Sequence, residues 1–184
     1  MKHEIPMSKS YRLLYPRPVV LVSCMDTETG KPNLITIAWA VPLSISPPTV
    51  GILVAPKRYS HELIEKSREF TINVPTMAIL EKVVKCGKVS GRTHDKFAEF
   101  GLTPIPGRKV SAPAVKECVA HIECRLANSI KVGDHTLFVG EVLAAYSDEH
   151  AFDGDFIDVK NVKQIFQIGG NLFTTTDESC EKVE

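Results

Sequence analysis

Lys57 and Arg58 stand directly before Tyr59-Ser60, where the pattern of the chain turns helical. A helix start with a guanidinium and a hydroxyl beside it is a ready anion site. The first amides lack partners inside the helix, and the dipole favours negative charge. The same residues serve equally as a solvated basic face on which Ser60 merely caps the helix. Further on, Lys82, Lys85, Lys88, Arg92 and Lys96 are opposed within their span by Asp95 alone. A different hint comes from Thr36, Ala38 and Ala40, which share one face if the segment is extended. Side chains that small leave room for something flat, or for a second strand or subunit in close approach. Trp39 would project to the opposite face.

Signatures of acid–base or nucleophilic catalysis are missing. The chain has no G-x-S-x-G, no H-E-x-x-H, no G-x-x-x-x-G-K-[ST] and no G-x-G-x-x-G after a strand. Its six histidines are scattered, so no metal site is expected. The five cysteines, Cys24, Cys86, Cys118, Cys124 and Cys180, form no C-x-x-C pair. Cys118 and Cys124 are expected in one strand, about 20 Å apart, too far to share a metal. Reduced, mostly buried thiols are the expectation.

The elements that must position these groups are mostly strands. Pro18 to Cys24 is a β-branched run, and Leu34 to Ala40 a second one across a turn with Gly30, Pro32 and Asn33, which reads as a hairpin. Thr49 to Ala55 is a third strand. A helix capped by Ser60 carries Leu63 and Ile64 and ends near Arg68. Phe70 to Val74 is a fourth strand. Met77, Leu80 and Val84 recur at helical spacing up to Gly87, and a short helix from Asp95 to Phe100 is capped by Thr93. Glu117 to Val132 alternates, with His121, Glu123 and Arg125 on one face. Gly133-Asp134 turns it into a strand from Thr136 to Ala145. The tail with Gly169-Gly170 reads as loosely structured. Strands with helices inserted between the early ones suggest a barrel that closes most of its edges.

The 184 residues predict one domain, 1–184, with its core at about 17–172. Lys+Arg and Asp+Glu both number 22, so the formal net charge is zero and a basic surface for nucleic acid is not expected. The lack of self-repulsion makes an oligomer plausible. No apolar run reaches the roughly 18 residues of a membrane helix, and the first residues show no secretory pattern, so a cytoplasmic protein without membrane attachment is expected.

In order and spacing, several stretches resemble the flavin reductase-like family of FMN-binding split-barrel proteins. They are Arg17-Pro-Val-Val-Leu-Val, Asn33-Leu-Ile-Thr-Ile-Ala-Trp, Pro47-Pro48 before a strand, and Lys57-Arg-Tyr-Ser-His-Glu-Leu-Ile. Phe70-Thr-Ile-Asn-Val-Pro, Val89-Ser-Gly-Arg, Asp95-Lys-Phe and Gly133-Asp-His-Thr-Leu-Phe-Val-Gly-Glu-Val continue the series. The subgroup it is most similar to is that of flavoredoxin and the archaeal ferric reductases and FMN-binding proteins.

The resemblance implies a mainly β fold with inserted helices, a Greek-key split β-barrel working as a homodimer with FMN near the subunit interface. Thr36, Ile37, Ala38 and Trp39 would lie along the isoalloxazine ring. Arg58, Ser60 and Lys96 would hold the phosphate, with Ser90 and Gly91 lining the same pocket. His135 would sit near a nicotinamide and position it. No side chain is expected to be catalytic, because the flavin carries the chemistry and the protein supplies position and electrostatics. Two activities stay open. One is an NAD(P)H-dependent flavin or ferric reductase using NADH or NADPH and hydride transfer to flavin N5. The other is a flavoredoxin-like electron carrier reduced by a protein partner.

Overall fold

The computed structural model describes residues 2–183. β1 (Arg17–Pro18) leads into β2 (Val20–Met25), which is buried on both faces because its alternate side chains feed two separate cores. Val20, Val22 and Cys24 enter one core; Val19 and Leu21 enter the other. β3 (Pro32–Ile37) returns antiparallel to β2 and is followed by β4 (Ala40–Ile45) and β5 (Pro48–Val54). Then come α1 (Tyr59–Ser67), β6 (Glu69–Val74), α2 (Leu80–Lys88) and α3 (Lys96–Phe100). Two short strands, β7 (Pro104–Ile105) and β8 (Ala114–Val115), pair with each other. The long hairpin of β9 (Ala120–Val132) and β10 (His135–Ser147) precedes β11 (Phe166–Gly169) and β12 (Leu172–Thr174).

The main sheet runs β3-β2-β6-β9-β10-β5-β4. Its two outermost strands, β3 and β4, are consecutive in the chain and separated only by Ala38 and Trp39. Three Cα–Cα steps reach at most about 11 Å. The end of β3 must therefore lie beside the start of β4, and the sheet curls into a barrel whose two outer strands do not pair with each other. At the seam Arg17 Nε donates to the Ala38 carbonyl (3.1 Å), and the Leu53 N–H donates to the Trp39 carbonyl (3.0 Å). The first core holds Phe70 and Phe138, both fully buried, together with Leu63 and Ile64 of α1. The second is built where Val83 and Cys86 of α2 and Phe97 of α3 join Leu21 and Leu34.

Several expectations are corrected. Leu34 to Ala40 is not one strand: β3 ends at Ile37 and β4 begins at Ala40, because the seam bonds carry the chain from one sheet edge to the other. Ala40 therefore does not continue the side on which Thr36 and Ala38 lie. Ser60 does not cap α1; the N-cap is Arg58, without a side-chain bond, and Ser60 Oγ is drawn inward to accept from Asn33 Nδ2 (2.8 Å). Asp95, not Thr93, caps α3 by accepting from the Ala98 N–H (3.1 Å), while Thr93 Oγ1 donates to the Ser90 carbonyl. Cys118 lies before β9, which starts at Ala120. The tail is structured too: β11 pairs with β1 and with β12, with Gly170 (φ +56°) in the turn between them. No helix among the described residues is long and apolar enough to cross a membrane.

Candidate functional site

Strand ends from three parts of the chain gather at the seam. β3 stops at Ile37, β5 stops at Val54, and β10 starts at His135, whose neighbour Thr136 is paired with Val54. Between them opens a cavity of about 470 Å³, walled by residues 35–39 and 53–58 and by Tyr15, Asp134, His135 and Gln167. The Trp39 ring lies 4.9 Å from the His135 ring at 38°, and its Nε1 donates to Tyr15 Oη (3.1 Å). Tyr11 stands edge-on to Trp39 at 5.8 Å. His135 Nδ1 donates to Asp134 Oδ1 (2.7 Å), since a carboxylate only accepts. That bond holds the Asp134 carboxyl below its usual range and fixes the imidazole against Trp39.

A second, smaller cavity of about 170 Å³ adjoins the first at Ile35, Lys57 and Arg58. Among the described residues, four cationic ones line it, Lys57, Arg58, Lys88 and Lys96, and no carboxylate does. Lys57 and Arg58 are exposed and have no carboxylate partner among the described residues. Lys96 is different: it is buried, and its Nζ donates to the carbonyls of Leu34 (2.6 Å) and Cys86 (2.8 Å). An ammonium has three donors, so one remains. Burial pushes its pKa down. Burial also pushes the Cys86 thiol up to about 11 and the Cys24 thiol up to about 12. Both stay protonated at neutral pH, so the charge of this cavity comes from the cations.

The sequence-derived residues are brought together. Thr36, Ile37, Ala38, Trp39 and His135 line the larger cavity, Ser60, Ser90, Gly91 and Lys96 the smaller, and Arg58 both. Ile37 turns its side chain into the barrel core, so what it offers the cavity is main chain. Thr36 Oγ1 donates to the Val83 carbonyl (2.6 Å), and a Cβ at Gly87 would lie 3.3 Å from Thr36 Cβ. The close approach expected at these small residues is thus made in part by α2. Trp39 lines the same cavity as Thr36 and Ala38, because the bend at the seam turns it there.

Sequence reasoning missed Tyr15, Gln167, Lys88 and Asn33. Lys88 stood in the basic run, and its nearness to Ser90-Gly91 was the available signal. Asn33 was hidden among turn residues. Tyr15 and Gln167 approach only through the pairing of β1 with β11 and carry no local signal.

The model of the flavin reductase like domain matches residues 11–163. The chain belongs to the flavin reductase-like family. An uncharacterised protein of Archaeoglobus fulgidus is 39% identical over 188 residues, covering 98% of this chain and 99% of that one. Among solved structures, the flavoredoxin of Desulfovibrio vulgaris is 32% identical, with 91% of each chain covered and a TM-score of 0.83. An FMN-binding protein from Thermus thermophilus with bound p-hydroxybenzaldehyde is 25% identical, covering 100% of this chain and 97% of that one, with a TM-score of 0.83. The mainly β architecture of this flavin reductase-like protein, with its seam between β3 and β4, is the split β-barrel of these relatives.

Proposed function

We propose that the chain binds FMN, with the ring system in the larger cavity and the phosphate in the smaller. One observation carries this reading: an aromatic-walled cavity adjoins one lined by four cations and no carboxylate. A flat ring joined to a phosphate dianion matches that division of chemistry. Bound there, FMN supplies two-electron hydride chemistry at its N5. The residues of the chain bind and orient. Arg58, Lys57 and Lys88 neutralise the phosphate, Ser60 and Ser90 offer hydroxyls, and the main chain of Thr36 to Trp39 lies along the ring. Its activity is that of an NAD(P)H-dependent flavin or ferric reductase.

The likeness to a flavoredoxin favours a second reading, an electron carrier reduced by a protein partner. Anaerobic addition of NADH or NADPH to the FMN-loaded protein separates the two. Bleaching of the flavin within turnover times supports the reductase; no bleaching, with full reduction by dithionite, moves the function to the carrier.

His135 belongs to the nicotinamide side of this reading, because Asp134 and Trp39 fix its ring at the cavity mouth. His135→Ala should slow reduction by NAD(P)H by about 1–2 kcal/mol, the worth of one orienting contact. FMN affinity and reduction by dithionite should be spared. Unchanged stopped-flow reduction by NAD(P)H in a folded, FMN-binding variant would remove the role.

The chain is read as a homodimer. β4 is an outer strand with Leu43 and Ile45 exposed, the latter at 95%, and the N-terminal 3-10 helix (Met7–Leu14) exposes Met7, Leu13 and Leu14. Bare apolar strand edges of this kind are normally covered. Light scattering at micromolar concentration should give about twice the chain mass of 20.3 kDa. A monomer that binds FMN tightly would defeat it. Free thiols at Cys24, Cys86, Cys118 and Cys124, all buried, suit the reducing cytoplasm.

A further inference from the structure

Asn33 stands in β3 between two cavities. One is the cation-lined cavity of about 170 Å³; the other, of about 330 Å³, lies beyond it and is lined by Asp26, Thr29, Lys31, Arg92 and Thr93 among others. Both cavities share Asn33, Tyr59 and Gly91 and no other residue. The Asn33 side chain is therefore part of the partition. It is only 4% exposed, its Nδ2 donates to Ser60 Oγ (2.8 Å), and its Oδ1 is buried without a hydrogen-bond partner among the described residues. On the far side it presses against Gly91, where a Cβ would overlap Asn33 Oδ1 outright. Glycine is needed there because the amide fills the space a side chain would take.

A buried amide oxygen without a donor is costly, and such groups mark places where a further partner is accommodated. Turning the amide over lets Oδ1 accept from the Ser60 hydroxyl and sets Nδ2–H against Gly91. The polar lining continues on the other side, with Tyr59 Oη donating to Asp26 Oδ2 (2.9 Å) and Arg92 over the Tyr59 ring at 4.5 Å. Space and polarity for a longer ligand exist past the partition.

We infer that Asn33, braced by Gly91, ends the phosphate cavity and sets the length of flavin ester the site accepts. It admits a terminal monophosphate and rejects a diphosphate that continues to a nucleoside, so the chain selects FMN over FAD. This rests on the flavin reading above. Discrimination comes from a steric stop, which acts against the longer ligand and not on the shared ring and first phosphate.

Fluorescence titration of the flavin-free protein with FMN and with FAD tests this without any turnover. The parent should bind FMN at least roughly tenfold more tightly than FAD, and Asn33→Ala should narrow that ratio by about tenfold or more. Asn33→Ser, which shortens the side chain but keeps a polar group for Ser60, should narrow it in the same direction if the alanine variant folds poorly. Asn33→Asp keeps the partition but sets a carboxylate against the phosphate, so it should weaken both ligands together with the ratio unchanged. Equal affinity of the parent for FMN and FAD overturns the inference. So does an unaltered ratio in a truncated variant that still binds FMN. A parent that binds neither flavin defeats the flavin reading itself, and the inference with it.

Discussion

Replacing Arg58 by alanine is expected to weaken FMN at least about tenfold while leaving riboflavin nearly unaffected. Arg58 lines both cavities at their junction, where the phosphate ester would leave the ring system. Among the described residues it has no carboxylate partner that would hold it elsewhere. A charge-assisted hydrogen bond contributes roughly 1.5–3 kcal/mol, and the exposure of this guanidinium places it at the lower part of that range. Riboflavin has no phosphate, so it cannot report the contact. Arg58→Lys keeps the charge but loses the fork geometry and should fall between the parent and the alanine variant. Titrations with both flavins decide the matter, and raised salt should shrink the difference between them. Equal losses for FMN and riboflavin would take Arg58 out of the phosphate site.

The largest effect on stability is expected far from that site. Glu123 is fully buried in β9, and its two oxygens accept the N–H of Arg108 (2.7 Å), the N–H of Lys109 (2.6 Å) and the hydroxyl of Tyr146 (2.8 Å). The Arg108 guanidinium lies 3.8 Å above the Tyr146 ring. One carboxylate thus anchors the loop between β7 and β8 to the sheet. Further along that loop, Ser111 bonds Glu69 through its N–H and its Oγ, both at 2.7 Å. Glu123→Ala would take the acceptor from two amides and a hydroxyl in a half-buried place, each unpaired group costing about 1–3 kcal/mol. A loss of about 3–5 kcal/mol is expected in urea unfolding of the flavin-free protein, where ligand binding does not add to stability. Glu123→Gln keeps one acceptor oxygen and should lose less. FMN affinity of the folded variant should not change, because neither cavity is lined by this loop. A loss below about 1 kcal/mol would mean that the loop is held by other contacts.

Glu123 also shows how much of the fold was legible. The alternation of β9 placed it correctly on one face with His121 and Arg125, since the two-residue period of a strand is a local property. The pattern could not say that this face is covered: His121 and Glu123 are buried and Arg125 is exposed, because a loop folds over only part of the strand. The same division holds for β2, whose β-branched run announced a strand but not that both of its faces are buried. At the C-terminus, the tail with Gly169-Gly170 read as loosely structured, but pairing of β11 with Arg17–Pro18, some 150 residues away in the chain, and of β12 with β11 makes strands of the segments that flank the glycines.

The site divides along the same line. Lys57, Arg58, Ser60 and the run from Lys82 to Lys96 could be read as anion-binding from the sequence, because positive charge and a helix start are written in neighbouring residues. The order of short motifs carried the family. Only the tertiary structure could break the Leu34–Ala40 run at Ala38, since the break depends on Arg17 and Leu53 reaching two carbonyls from other strands. Only it could turn Ser60 from a helix cap into a partner of Asn33, and set Asn33 against Gly91. Charge and periodicity are carried by residue type and spacing, so the sequence determines them alone. Which buried donor meets which acceptor depends on how the barrel closes, and closure is a property of the whole chain.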